Sequence, residues 1–220
     1  MQLVHTVYEP AGDGPHPTVV ALHGWGANAM DLLGLAPYLA EGQFLVLCPQ
    51  GPVEVPLGPA VGYGWFPLTM GEPPDPAALA AGVDAARRFV DAAARRYPVD
   101  MNKLVVLGFS QGGVIAYALA LDEPQRFAGL VALSSWFPAP LAQTLPPRDR
   151  ARLLTLVQHG TRDELIDVGR GRDSVENLRR LQVPVTFREF EMGHEINTES
   201  LANLTDWLEE RILSPIVLVR

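Results

Sequence analysis

Residues 103–124 read KLVVLGFSQGGVIAYALALDEP, and the fold follows from this stretch. KLVVL is a short, nearly continuous apolar run of the kind found in strands covered on both faces. QGGVIAYALALD is apolar almost throughout and reads as a helix that stops before Pro124. Between them GFSQG, residues 108–112, fits the pattern G-x-S-x-G. The glycines of that pattern relieve crowding in a sharp strand-to-helix turn and lift the serine above the sheet edge. The N-terminal amides of the helix then face the same place and favour negative charge there. A plain Gly-rich turn with Ser110 as a helix N-cap is the alternative. The strand before it and the helix after it favour the first reading.

Working outward, strands are expected at 3–8, 18–23 (TVVALH), 44–49 (FLVLCP), 127–135 (FAGLVALSS), 151–159 (ARLLTLVQH) and 185–191 (VTFREFE). Helices are expected near 29–40, 78–97, 169–182 and 198–212. Residues 51–78 and 136–148 are rich in Gly and Pro and read as loops that shape a pocket. The alternation predicts an α/β fold with a mostly parallel central sheet and helices on both faces. SPIVLVR, residues 214–220, is apolar after the last helix should have ended. It reads as an extra edge strand, a docking tail or a homodimer contact.

At 220 residues, one domain spanning 1–220 with no separate cap domain is the economical reading. Hydrophobic residues make up 48%, so the 20 Gly and 20 Pro read as built turns and not as disorder. A net charge of -8 without a basic stripe argues against a nucleic-acid partner. The single cysteine, Cys48, lies in an apolar run and reads as a packing residue. MQLVHTVYEP lacks the charged and apolar regions of a signal peptide, and no apolar stretch approaches the ~18 residues of a membrane span. A cytoplasmic protein without integral membrane association is expected.

A serine hydroxyl needs a base to become a nucleophile, and the base needs an acid to orient it. In the chain order Ser, Asp or Glu, His, only His159 and His194 follow Ser110. His194 sits in EMGHEIN between a strand and the last helix, on a loop that can reach Ser110; His159 ends a strand and reads as a packing or turn residue. For the acid, Asp163 lies four residues past the end of 151–159, on the loop where the third member projects. Asp167 stands near the next helix start, where a carboxylate has a structural use, and Asp149 precedes its strand and belongs at the far end. Oxyanion donors are expected from the N–H of Gln111 and the N–H of Trp25, the latter in HGWGAN where Gly24 and Gly26 allow close backbone approach. His159, Asp163, His194 and Glu195 also carry metal-ligating groups, but no H-E-x-x-H pattern or phosphate loop is present, and neither metal nor cofactor is expected.

LHGWGAN at 22–28, GFSQGG at 108–113, HGTRDELI at 159–166 and GHEI at 193–196 occur in this order across nearly the whole chain. Together they resemble the small carboxylesterase, lysophospholipase and acyl-protein thioesterase family of α/β hydrolases. The resemblance implies the α/β-hydrolase fold, a triad of Ser110, Asp163 and His194, and oxyanion donors at Trp25 and Gln111. GYGWFPL at 62–68 is similar to the family's Gly-rich loop and implies Trp65 and Phe66 as acyl-pocket residues; the bland alternative is that they cover the core. DELIDVGRG departs from the family's D-x-V-V-P-like segment. The expected activity is hydrolysis of small to medium acyl esters through an acyl-serine. Acyl-protein thioesterase or lysophospholipase activity is the rival, and an idle hydrolase fold that only binds is the non-enzyme alternative.

Overall fold

A computed structural model describes residues 3–69 and 72–213. The apolar tail 214–220 therefore lies outside the described residues. Seven strands form one sheet: β1 (His5–Tyr8), β2 (His16–Leu22), β3 (Leu45–Pro49), then, after a separate hairpin, β6 (Val99–Phe109), β7 (Gly129–Leu133), β8 (Leu154–Gly160) and β9 (Val185–Phe190). Their order is β1-β3-β2-β6-β7-β8-β9. All neighbours run parallel except β1, which pairs antiparallel with β3 at the edge.

The central stretches 19–22, 45–48, 104–107 and 130–133 are apolar because successive side chains enter two different cores, whereas the edge strand β9 exposes Arg188 and Glu189. Val20, Leu22, Leu45, Leu47, Leu104, Val106, Leu130 and Ala132 face one side. Val19, Ala21, Val46, Cys48, Val105, Leu107, Val131 and Leu133 face the other. On the first side pack α1 (Pro76–Arg96), α2 (Gln111–Asp122) and α4 (Val168–Arg180); the second takes α5 (Thr198–Leu208) and a 3-10 segment, Leu33–Gly42. α1 starts where Asp75 accepts from the Ala78 N–H and Pro76 supplies a ready-set φ. α5 starts with the Asn197–Ser200 capping box. α2 differs from both, since every residue from Gln111 to Leu121 is buried. A helix apolar on all sides has to be central, and α1 packs over it.

Three segments depart from expectation. Residues 51–78 are not one long loop, because β4 (Val53–Leu57) and β5 (Ala60–Gly64) form an antiparallel hairpin. Gly58, at φ +64, turns it with Pro59. The alternation Val53, Val55, Leu57 was a strand signal that Pro56 and the surrounding glycines obscured. Near 29–40 the chain takes the 3-10 form with Pro37 inside it, as a residue without an N–H breaks the α ladder. The 136–148 connection holds one short helix, α3 (Ala139–Thr144).

Candidate active site

Ser110 joins β6 to α2 with φ 52 and ψ -119. A non-Gly residue at positive φ costs roughly 1–3 kcal/mol and persists only where its surroundings hold it. Here the Ser110 N–H donates to the Leu133 carbonyl (2.9 Å), while the Ser110 carbonyl accepts from Ser135 Oγ (2.7 Å) and the Gly113 N–H (3.0 Å). Ser110 occupies the N-cap position, yet its side chain makes no capping hydrogen bond. The capping alternative is thereby removed. A Cβ at Gly112 would fall on the Leu22 carbonyl oxygen, so glycine is what lets α2 approach the end of β2 this closely.

Asp163 lies beyond β8 and His194 beyond β9, both at the C-terminal edge of the sheet where Ser110 stands. His194 Nδ1 is 2.8 Å from Asp163 Oδ2, and the imidazole packs on Phe109 with ring centroids 4.9 Å apart. Among the described residues no hydrogen bond joins Ser110 to His194. Such bonds often tighten only with substrate present. The Asp163 side chain is fully buried, and its Oδ1 accepts the Leu165 and Ile166 N–H groups at 3.0 and 2.8 Å. Three hydrogen bonds to one carboxylate fix its plane.

The other carboxylates have separate tasks. Asp167 caps α4 by accepting the Gly169 N–H, and Asp149 accepts from the Ala151 N–H before β8 begins. His159 is buried and hydrogen-bonds within the turn: its Nε2 lies 2.7 Å from the Ile166 carbonyl and 3.4 Å from Asp163 Oδ2. Among the described residues no group of three His, Cys, Asp or Glu side chains is arranged to hold a metal ion.

The amides of Trp25 and Gln111 donate to no protein partner among the described residues, and Gly112 lets the start of α2 approach the His23 and Leu22 carbonyls. A Cβ on Gly24 would lie 3.3 Å from Ser110 Cβ, so the 24–26 turn borders the serine. Gly26 N–H and Tyr63 N–H tie this turn to β5 through the Tyr63 and Ala27 carbonyls.

Trp65 and Phe66 are both buried in the core, at 1% and 0% exposure. Their placement is explained by backbone pairing: the Gln111 side chain accepts the Trp65 N–H (2.8 Å) and donates to the Phe66 carbonyl (2.7 Å). Trp65 Nε1 donates to the His23 carbonyl. Two adjoining surface grooves, about 570 and 450 Å³, share Pro74, Pro138 and Pro140, and Ser110 lines neither. No helix among the described residues is long and apolar enough to cross a membrane.

The model for the family described as Phospholipase/Carboxylesterase matches residues 4–212. A probable carboxylesterase, SOBER1-like, from Arabidopsis thaliana is 29% identical over 173 aligned positions, covering 76% of this chain and 65% of that protein. Acyl-protein thioesterase 1 from Mycosarcoma maydis is 26% identical, covering 92% of this chain and 94% of the relative. The solved structure of a Bacillus cereus carboxylesterase shares the fold, with a TM-score of 0.81 at 23% identity over 94% of this chain and 93% of that one. With its strand order, its elbow and a family match that runs almost end to end, the chain belongs to the phospholipase/carboxylesterase family of α/β hydrolases.

Proposed function

We propose that this chain is a serine carboxylesterase acting as one catalytic domain, 1–220, on small-molecule esters. The observation that carries the reading is the buried Asp163 carboxylate on His194 Nδ1, 2.8 Å away, beside the positive-φ elbow at Ser110. Asp163 holds His194 with Nδ1 protonated, leaving Nε2 as the base. His194 takes the Ser110 proton as the hydroxyl attacks the ester carbonyl. The N–H groups of Trp25 and Gln111 stabilise the oxyanion, and His194 returns the proton to the departing alcohol. Water, activated by the same imidazole, then releases the acid from Ser110. The 51–78 and 136–148 segments are the proposed determinants of acyl length, and their residues 72–76 and 136–146 contribute to the two surface grooves.

Thioesterase action on acylated proteins is the second reading, favoured by the near full-length match to acyl-protein thioesterase 1. A panel of p-nitrophenyl esters and acyl thioesters, run on wild type and Ser110→Ala, tests both. Hydrolysis that disappears in Ser110→Ala, together with fluorophosphonate labelling of Ser110, supports the serine mechanism; the ester-to-thioester ratio chooses between the substrates. An absence of turnover and labelling leaves the non-catalytic binding alternative.

A further inference from the structure

His23, the first residue beyond β2, is buried at 1% exposure and has no part in the proton transfers above. Both of its ring nitrogens are engaged. The Gly51 N–H donates to Nε2 at 2.9 Å, which requires a lone pair on that nitrogen. Nδ1 lies 2.7 Å from the Gly24 carbonyl oxygen, which requires a proton on the other. One tautomer meets both demands, the neutral imidazole with hydrogen on Nδ1. The residue is further fixed by Trp65, whose indole donates to the His23 carbonyl at 3.0 Å and whose ring centroid lies 5.6 Å from the imidazole.

The Gly24 carbonyl belongs to the same planar peptide unit as the Trp25 N–H. In a trans peptide the C=O and N–H point to opposite sides. A bond that holds the carbonyl toward the His23 ring therefore holds the Trp25 N–H away from it. Gly24, lacking a side chain, imposes little preference of its own on this peptide. The Ala27 N–H adds only a longer contact to the same carbonyl, at 3.3 Å. We infer that His23 is a positioning residue for the oxyanion hole, its Nδ1–H fixing the Gly24–Trp25 peptide so that the Trp25 amide is already aimed at the developing oxyanion. The inference rests on the reading of Trp25 N–H as an oxyanion donor. Burial supports it by disfavouring the imidazolium, whose second N–H would oppose that of Gly51.

Asparagine and glutamine separate the two ring nitrogens. In His23→Asn an amide NH2 stands near the place of Nδ1 and keeps a donor to Gly24; in His23→Gln an amide oxygen stands near the place of Nε2 and keeps an acceptor for Gly51. Ester kinetics are measured for both. In His23→Gln, kcat is expected to fall about 10- to 100-fold with KM within about twofold, and in His23→Asn most of that loss is recovered, since one lost oxyanion donor costs about 10²–10³ in kcat. A role only in anchoring Gly51 reverses the order of the two variants and overturns the inference, as does a His23→Gln enzyme equal to wild type. If either variant fails to fold, nitrogen NMR of histidine-labelled wild type decides: protonated Nδ1 on neutral His23 supports the inference, and protonated Nε2 overturns it. Wild type without ester hydrolysis or Ser110 labelling refutes the serine-esterase reading itself, a result distinct from either variant outcome.

Discussion

The same oxygen of Asp163 that holds His194 is also approached by His159, whose Nε2 lies 3.4 Å from Oδ2. The His159 proton donates chiefly to the Ile166 carbonyl at 2.7 Å, closing the turn whose own amides grip Asp163. His159→Phe keeps a ring of similar shape and removes that donor, leaving the Ile166 carbonyl unpaired. A stability loss of about 1–3 kcal/mol in urea unfolding is expected. A lower kcat at unchanged KM should accompany it, because the turn that orients the carboxylate is loosened. An unchanged urea midpoint and unchanged kcat would count against this role.

Asp163→Asn poses a sharper test of the acid. Oδ1 faces two N–H donors, so the amide oxygen takes that side and the NH2 faces His194. Nδ1 then has to accept, its proton moves to Nε2, and the base is lost. A fall in kcat of about 10⁴ is expected with the fold retained, as for the corresponding change in chymotrypsin-like triads. Steady-state kinetics and circular dichroism together check it.

Burial holds the His23 imidazole below its ordinary pKa of 6.5. The unfolded chain therefore takes up a proton first as pH falls through 6.5, and stability drops from there until the folded-state pKa is reached. Asp31, the charged group facing His23, is itself raised by burial from 3.8, so it works in the opposite sense in its own, more acidic range. The difference in unfolding free energy between wild type and His23→Gln isolates the histidine. That difference is expected to change with pH below 6.5 and to be flat above it.

Cys48 lies in β3 at 2% exposure, and burial pushes its thiol up to about 12, partly offset by a hydrogen bond to Thr6. With so little thiolate at neutral pH, it should not react with an aromatic disulfide reagent in the native state. One equivalent of thiol should appear only in denaturant. Native labelling at the denatured rate would contradict this.

The central strands were legible because TVVALH, FLVLCP and KLVVL feed side chains to two cores and so carry no polar face. The elbow was legible for a local reason, as few turns other than this one need GFSQG between a strand and a helix. Asp163 and His194 followed from where their strands end. The hairpin 53–64 was hidden because Pro56, Gly58 and Pro59 mask its alternation. The burial of Trp65 and Phe66 was not legible, because an aromatic after a Gly-rich loop reads the same whether it faces solvent, substrate or core. Only the pairing of their backbone with the Gln111 side chain, 45 and 46 positions away, distinguishes these cases. The contacts of His23 and His159 depend likewise on which way a carbonyl or an N–H turns.

The burial of α2 on all sides has a consequence for how activity can be lost. The serine sits at the head of the most enclosed helix among the described residues, so the turns of α2 behind it cannot open by fraying; their amides exchange with solvent only when the core between α2, α1 and the sheet parts. Local breathing at the hairpin or at the 136–148 connection would alter which acyl groups enter, while leaving the nucleophile set. Inactivation by heat or urea should thus track cooperative unfolding of the whole sheet, with no partly folded, inactive species preceding it.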